Sequence, residues 1–146
     1  MQREKAVIDG CNILYLGSPQ RKPSINNIFA VIGAVKASGR EPLVIVEPAV
    51  LSVLGEFELL QRLLWQSCVF SVPAGSDRAR VVLEKAQECD GIVVSNDTYS
   101  NYWSEYPWVE LCRLPVAKTD GSVCLLEARF KDTDLQTLAR TAWLHR

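Results

Sequence analysis

Histidine is almost missing from this chain: His145 is the one example in 146 residues, and it stands far along the sequence from every candidate strand end. A Ser-His-Asp or Cys-His arrangement, a histidine general base and a histidine-ligated zinc are therefore not expected. Cysteine is present but unpatterned. Cys11, Cys68, Cys89, Cys112 and Cys124 are odd in number and far apart, and no C-x-x-C pair suggests a zinc knuckle or a disulfide framework. Cys68 and Cys124 fall in apolar runs and read as core thiols. Cys11, between Asp9 and Asn12, reads as a small residue at a tight turn rather than a nucleophile. No G-x-G-x-x-G follows the first strand and no G-x-x-x-x-G-K-[ST] loop occurs, which argues against a nucleotide-binding domain. A receiver-like domain lacks its acid, since Val72-Pro73 stands at that strand end. No apolar run approaches membrane-spanning length, and MQREKAVIDG lacks the apolar core of a signal peptide. A soluble, cytoplasmic protein with no membrane partner is the expectation. Net charge is nearly absent too, with 16 basic against 17 acidic residues. Any attraction for phosphate must then be local. Chemistry falls to carboxylates.

What is present is an alternation of strands and helices. Lys5-Ala6-Val7-Ile8-Asp9 reads as a first strand, followed by a polar loop over 10–23. Ser24 is the expected N-cap of a helix whose Ile25, Ile28, Phe29 and Ile32 share one face. That helix is expected to end near Ser38-Gly39. Pro42 to Glu47 is a second strand, and the leucine-rich residues 49–66 make one broken helix or two short ones. Cys68 to Val72 is a third strand. A helix from Asp77 to Glu88 follows, with Ala79, Val82, Leu83 and Ala86 on one face. Asp90-Gly91-Ile92-Val93-Val94-Ser95-Asn96-Asp97 contains the fourth strand. Residues 114–127 read as a hairpin turning at Asp120-Gly121, and residues 133–143 as a last helix. With 48 % hydrophobic residues, the chain suits a single domain over residues 1–146 with one core. The alternation predicts an α/β fold with a central, mainly parallel sheet and helices on both faces.

Strand direction sorts the acids. Asp9, Glu47 and Asp97 follow the C-terminal ends of parallel strands, and Asp77 starts a helix at that same edge. Asp90 enters the fourth strand seven steps earlier, roughly 20 Å from Asp97 at about 3.3 Å per step, and reads as structural. Like charges gathered at one edge repel, and Mg²⁺ or Mn²⁺, an oxygen-seeking cation, resolves that conflict. Asn12 adds a neutral oxygen beside them. Spacing alone balances this metal reading against ordinary turns and helix caps.

Three blocks carry a likeness: Val7-Ile8-Asp9-Gly10-Cys11-Asn12, Ser76-Asp77-Arg78, and Asp90 through Tyr99. Together they resemble the NYN/PIN-like ribonuclease domain of the Regnase (MCPIP) family, in order and spacing from about residue 5 to 127. The resemblance implies a PIN-like three-layer α/β/α domain acting as a Mg²⁺- (or Mn²⁺-) dependent endoribonuclease on single-stranded or loop RNA. It carries the roles of catalytic and polar metal-site residues onto Asp9, Asn12, Asp77 and Asp97, with Asp9, Asp77 and Asp97 as the metal ligands. This chain departs from the family at Ser76 and Asn101, where acids are expected, and residues 1–146 hold no CCCH zinc-finger pattern. An RNA- or protein-binding module that does not cut is the alternative reading. Arg21, Lys22, Arg78 and Arg80 are the candidate phosphate contacts and Tyr99 a candidate stacking partner for a base, with Tyr102, Trp103, Tyr106 and Trp108 nearby. Packing accounts for Trp103 and Trp108 better than stacking does. Self-association is compatible with the sequence.

Overall fold

The computed structural model describes residues 3–18, 22–48, 68–119 and 122–127. The expected helices at 49–66 and 133–143, the Asp120-Gly121 turn, Arg21 and His145 lie outside the described residues. In chain order the elements are β1 Lys5–Asp9, α1 Gly10–Leu14, α2 Ile25–Ala37, β2 Glu41–Val46, β3 Cys68–Ser71, α3 Arg78–Glu88 and β4 Ile92–Val94. A 3₁₀ turn Ser100–Tyr102, α4 Val109–Cys112, β5 Arg113–Leu114, β6 Val116–Thr119 and β7 Ser122–Leu125 complete them. Among the described residues no helix is long and apolar enough to cross a membrane.

Five strands form one sheet in the order β3-β2-β1-β4-β5, and all four pairings are parallel. The order follows from the crossovers. α2 carries the chain from β1 to β2 across one face, and α3 carries it from β3 to β4 across the other. Two right-handed crossovers that leave β1 in opposite directions need their helices on opposite faces. β1 is thus central, and the gap beside it at β4 is where the order of the sheet reverses.

Side-chain alternation explains the two layers. Ile8, Val44, Val46, Ile92 and Val94 face α1 and α2, packing on Ile13, Ile25, Ile28, Val31 and Val35. Val7, Ile45 and Val93 face α3, packing on Val82, Leu83 and Ala86. Strands buried on both faces read as continuous apolar runs, which is why these strands were recognisable. Pro42 stands at the second position of β2, one residue before the first described pairing with β3 at Leu43, near the strand start where a missing N–H is tolerated. β6 and β7 form a separate antiparallel hairpin, whose Val116 and Leu125 join the α2 layer.

Two local expectations, the loop at 10–14 and the core place of Cys124, need correction. Residues 10–14 are helical rather than loop, because the Asp9 carboxylate caps them by accepting from the Asn12 backbone N–H at 3.4 Å. Ser24 is the N-cap of α2 as expected, without a side-chain capping bond; its own N–H is taken by the Leu14 carbonyl at 2.8 Å. Cys124 is exposed rather than core, since it lies on the outer face of the hairpin strand. The aromatic segment after Tyr99, without a readable period, folds into a 3₁₀ turn, α4 and the short edge strand β5. Asp90 holds a positive φ of 52° at the turn entering β4, in keeping with its structural reading.

Gly10 shows why the first motif needs its glycine: a Cβ there would collide with the Ile45 carbonyl oxygen of β2. Gly10→Ala is expected to destabilise the fold by about 1–3 kcal/mol, the usual cost of overpacking, read as a lower midpoint in a circular-dichroism melt. An unchanged midpoint would mean that α1 can move away from β2.

Candidate functional site

β1 and β4 end side by side where the order of the sheet reverses, the place where ligands of open parallel sheets collect. Asp9 closes β1 there and is 0 % exposed. A carboxylate removed from water costs several kcal/mol unless it is paired and hydrogen-bonded, and four donors supply that pairing. Oδ1 accepts from the Arg78 guanidinium at 2.5 Å and from the Asn12 N–H at 3.4 Å. Oδ2 accepts from the Tyr99 hydroxyl at 2.5 Å and from Ser95 Oγ at 3.3 Å. Arg78 is the first residue of α3, so the crossover helix delivers the cation. It also reaches Glu47 Oε1 at 3.6 Å.

The residues after β4 are locked by their own side chains. Ser95 Oγ accepts from the Asp97 N–H at 3.1 Å while donating to Asp9. Asp97 Oδ1 accepts from the Tyr99 N–H at 2.8 Å, closing a tight turn. Tyr99 adopts the left-handed conformation at φ 55°. That position is disfavoured for a bulky residue, and it aims the ring inward so that the hydroxyl reaches Asp9. Asn12 Oδ1 accepts from the Asn96 N–H at 2.9 Å. The Asn96 amide in turn pairs with both backbone groups of Val116, at 2.9 and 2.7 Å. Asp9, Asn12, Ser95, Asn96, Asp97 and Tyr99 are one connected network.

Ionisation follows the same contacts. Burial raises the Tyr99 phenol well above its ordinary range, and the adjoining Asp9 charge adds to this, so the hydroxyl stays a donor. Burial opposes the Arg78 charge, but the charge and hydrogen bond of Asp9 outweigh it and raise the guanidinium further. Burial pushes the Cys11 thiol up to about 11, and the nearby Glu47 charge contributes, so Cys11 is a neutral thiol at pH 7. The Tyr102 hydroxyl bond holds the exposed Asp77 carboxyl below its ordinary range.

The sequence-derived site is brought together in part. Asp9, Asn12 and Asp97 belong to one hydrogen-bond network, Asp97 through its backbone N–H on Ser95 Oγ. Asp77 caps α3, accepting from the Arg80 N–H at 3.4 Å and from Tyr102 Oη. Tyr99 is 2 % exposed, so its ring is not available to stack on a base; it positions Asp9 instead. Arg78 is committed to Asp9, and Arg80 to Glu105 through two nitrogens and to the Tyr102 ring at 5.4 Å. Lys22 is exposed, its backbone N–H held by Ser18 Oγ at 2.8 Å. Ser95 and Asn96, polar groups at the end of β4, join the network through bonds to Asp9 and Asn12, while the Tyr99 hydroxyl turns inward to Asp9. Trp108 is buried as expected, whereas Trp103 is 40 % exposed.

Among the described residues no three His, Cys, Asp or Glu side chains converge to hold a metal ion. The oxygen donors at the edge have the right chemistry for Mg²⁺ or Mn²⁺, but their arrangement does not fit one. Both oxygens of Asp9 are occupied, and the Arg78 guanidinium holds the place at which a metal would neutralise that carboxylate.

The family model for the Zc3h12a-like ribonuclease NYN domain matches residues 2–114. Two solved structures of the nuclear proteinaceous RNase P 2 (PRORP2) of Arabidopsis thaliana share the fold, each with a TM-score of 0.68. They are 18 % and 16 % identical over 85 % and 84 % of this chain. The chain spans only 30 % and 29 % of their lengths. No curated protein matches the chain.

Removing one partner of a buried ion pair strands the other. Arg78→Met is expected to lose about 3–5 kcal/mol in urea unfolding, and Asp9→Asn introduced into that variant to recover part of the loss. Strictly additive losses in the double-mutant cycle would show that the pair is not coupled.

Proposed function

The chain belongs to the Zc3h12a-like ribonuclease NYN family, and from that premise we propose that it is an endoribonuclease that cuts single-stranded or loop RNA at the β1/β4 edge. One observation carries the reading: at the point where the strand order reverses, the Asp97 backbone is linked through Ser95 Oγ to a buried, fully bonded Asp9, and its carboxylate is braced by the Tyr99 N–H. Asp97 is half-buried, unlike Asp9, and so meets both solvent and the protein. It is the catalytic carboxylate of the proposal, set to take the proton of the water that attacks phosphorus in line, while the opposite P–O bond breaks and its leaving oxygen takes up a proton from solvent. Asn12, tied to the Asn96 N–H, keeps the two strand ends together beside it. Asp9, Ser95, Tyr99 and Arg78 are positioning residues, and Asp77 serves the start of α3.

Mg²⁺ or Mn²⁺ is the cofactor implied by the resemblance, and it would supply charge neutralisation and water activation if bound. No step is routed through it, since the donors as arranged do not fit a metal. RNA is the partner proposed. Unpaired RNA is favoured because a sheet edge of this kind reaches splayed bases and not the deep groove of a duplex.

A second reading, an NYN module that binds RNA without cutting it, is favoured by the Arg78–Asp9 pair together with Ser76 and Asn101 in place of acids. One gel series separates the two, using end-labelled single-stranded RNA and DNA of one sequence, with EDTA or with Mn²⁺. Wild-type protein is expected to shorten the RNA, and Asp97→Asn to do so about 100-fold more slowly with an unchanged far-ultraviolet spectrum. Full activity in that variant would overturn the catalytic role. Retention of intact RNA in every lane would favour the binding module. Activity that EDTA abolishes and Mn²⁺ restores would mean that a metal reaches the edge and rearranges its donors.

A further inference from the structure

Beside the network lies a cleft of ≈ 280 Å³ lined by Thr98, Trp103, Glu110 and Arg113. Two of its walls are tied to the catalytic strand end. The Trp103 indole N–H donates to the Thr98 carbonyl at 2.9 Å, one residue after Asp97. Arg113 Nη1 donates to the Ser95 carbonyl at 3.0 Å, two residues before it. These bonds hold the indole at the surface: Trp103 is 40 % exposed, whereas Trp108, five residues on, is 6 % exposed. Glu110 projects from the first turn of α4 and is exposed.

We infer that this cleft is a nucleobase subsite of the substrate strand, selective for guanine, an inference that rests on the ribonuclease reading above. Its volume falls just short of the roughly 300–1,000 Å³ of pockets that enclose drug-sized ligands, a size for one flat ring system rather than a whole nucleotide. The indole face supplies stacking for an unpaired base. Stacking accepts any base, so selection falls to the polar wall. A carboxylate only accepts hydrogen bonds. Guanine alone sets two adjacent donors, N1–H and N2–H, on its Watson–Crick edge, and these match the two oxygens of Glu110. Adenine and cytosine place a ring acceptor beside their single amino group, and the uracil N3–H lies between two carbonyls. Each of those edges brings a lone pair against the carboxylate. The positive Arg113 on the same cleft suits the guanine O6 acceptor. Because Thr98 and Ser95 flank Asp97 in the chain, a base seated here keeps its own phosphate group close to the proposed catalytic carboxylate.

The test uses the whole chain and two probes, guanosine and adenosine 5′-monophosphate, followed by the ¹⁵N-indole signal of Trp103 and assigned with Trp103→Phe. Guanosine monophosphate is expected to bind about tenfold more tightly than adenosine monophosphate, within the range of one bidentate base contact. Glu110→Gln is expected to bring that ratio to about twofold or less, because one of the two acceptors becomes a donor. Trp103→Ala should weaken both probes. Equal affinity for the two nucleotides in wild-type protein, or a ratio untouched by Glu110→Gln, overturns the inference. Cleavage mapping on a mixed-sequence RNA separates the two readings. Cutting with no preference for guanine refutes the subsite and leaves the nuclease intact. Selective guanine binding without any cutting retains the subsite and refutes the nuclease.

Discussion

A carboxylate with no access to water must be answered from within the protein, and at Asp9 that requirement organises the whole sheet edge. The answering groups come from every direction: Arg78 from the crossover helix, Asn12 from the helix that follows β1, Ser95 and Tyr99 from the turn after β4. None can take its place until β1, β3 and β4 have found their register. The ion pair therefore reports completion of the fold, and a misplaced strand leaves a charge stranded in a low-dielectric interior, where its cost is largest. The left-handed backbone of Tyr99 is one local strain that the network sustains.

The same economy runs over the rest of the charged surface. Arg80 is held by Glu105, and Arg40 by Glu4 and Glu127. With a net charge of −1 and several guanidinium groups already engaged, little positive field is left over to gather nucleic acid at a distance. Recognition by such a domain falls to contacts at short range, stacking and base-edge hydrogen bonds above all, with the salt dependence that follows from whichever phosphates are met. An exposed tryptophan next to the turn after β4 belongs with that economy.

The hairpin is more than an appendage. Lys118 Nζ donates to Asn27 Oδ1 at 2.8 Å, and the Asn27 amide donates to the Leu14 and Leu16 carbonyls at 3.1 and 3.0 Å. Asn96 fastens the opposite end of β6 to the turn after β4. The hairpin thereby links the C-terminal end of α1, the helix that carries Asn12, to the chain after β4, which carries Asp97. Rigid support of this kind is what a site needs if its groups are to be held near a productive geometry.

The strands and the two long helices were readable in the residues, because apolar runs and helical spacing are local properties that survive without a partner. The ribonuclease family was readable too, through V-I-D-G-x-N and the long block ending in Asp97-Thr98-Tyr99. What the residues could not disclose was where each side chain would turn. Tyr99 and Trp103 are both aromatic and lie four positions apart, yet one is sealed against Asp9 and the other faces solvent, because the left-handed turn at Tyr99 reverses the direction of the chain between them. Arg78, a phosphate-contact candidate by sequence, is taken up by Asp9 because the start of α3 lies against the end of β1, and Asp77 caps that helix. Where strands and helices lie follows from local pattern; strand order and the partners across the edge depend on contacts separated by tens of residues, and only the closed sheet brings those into reach.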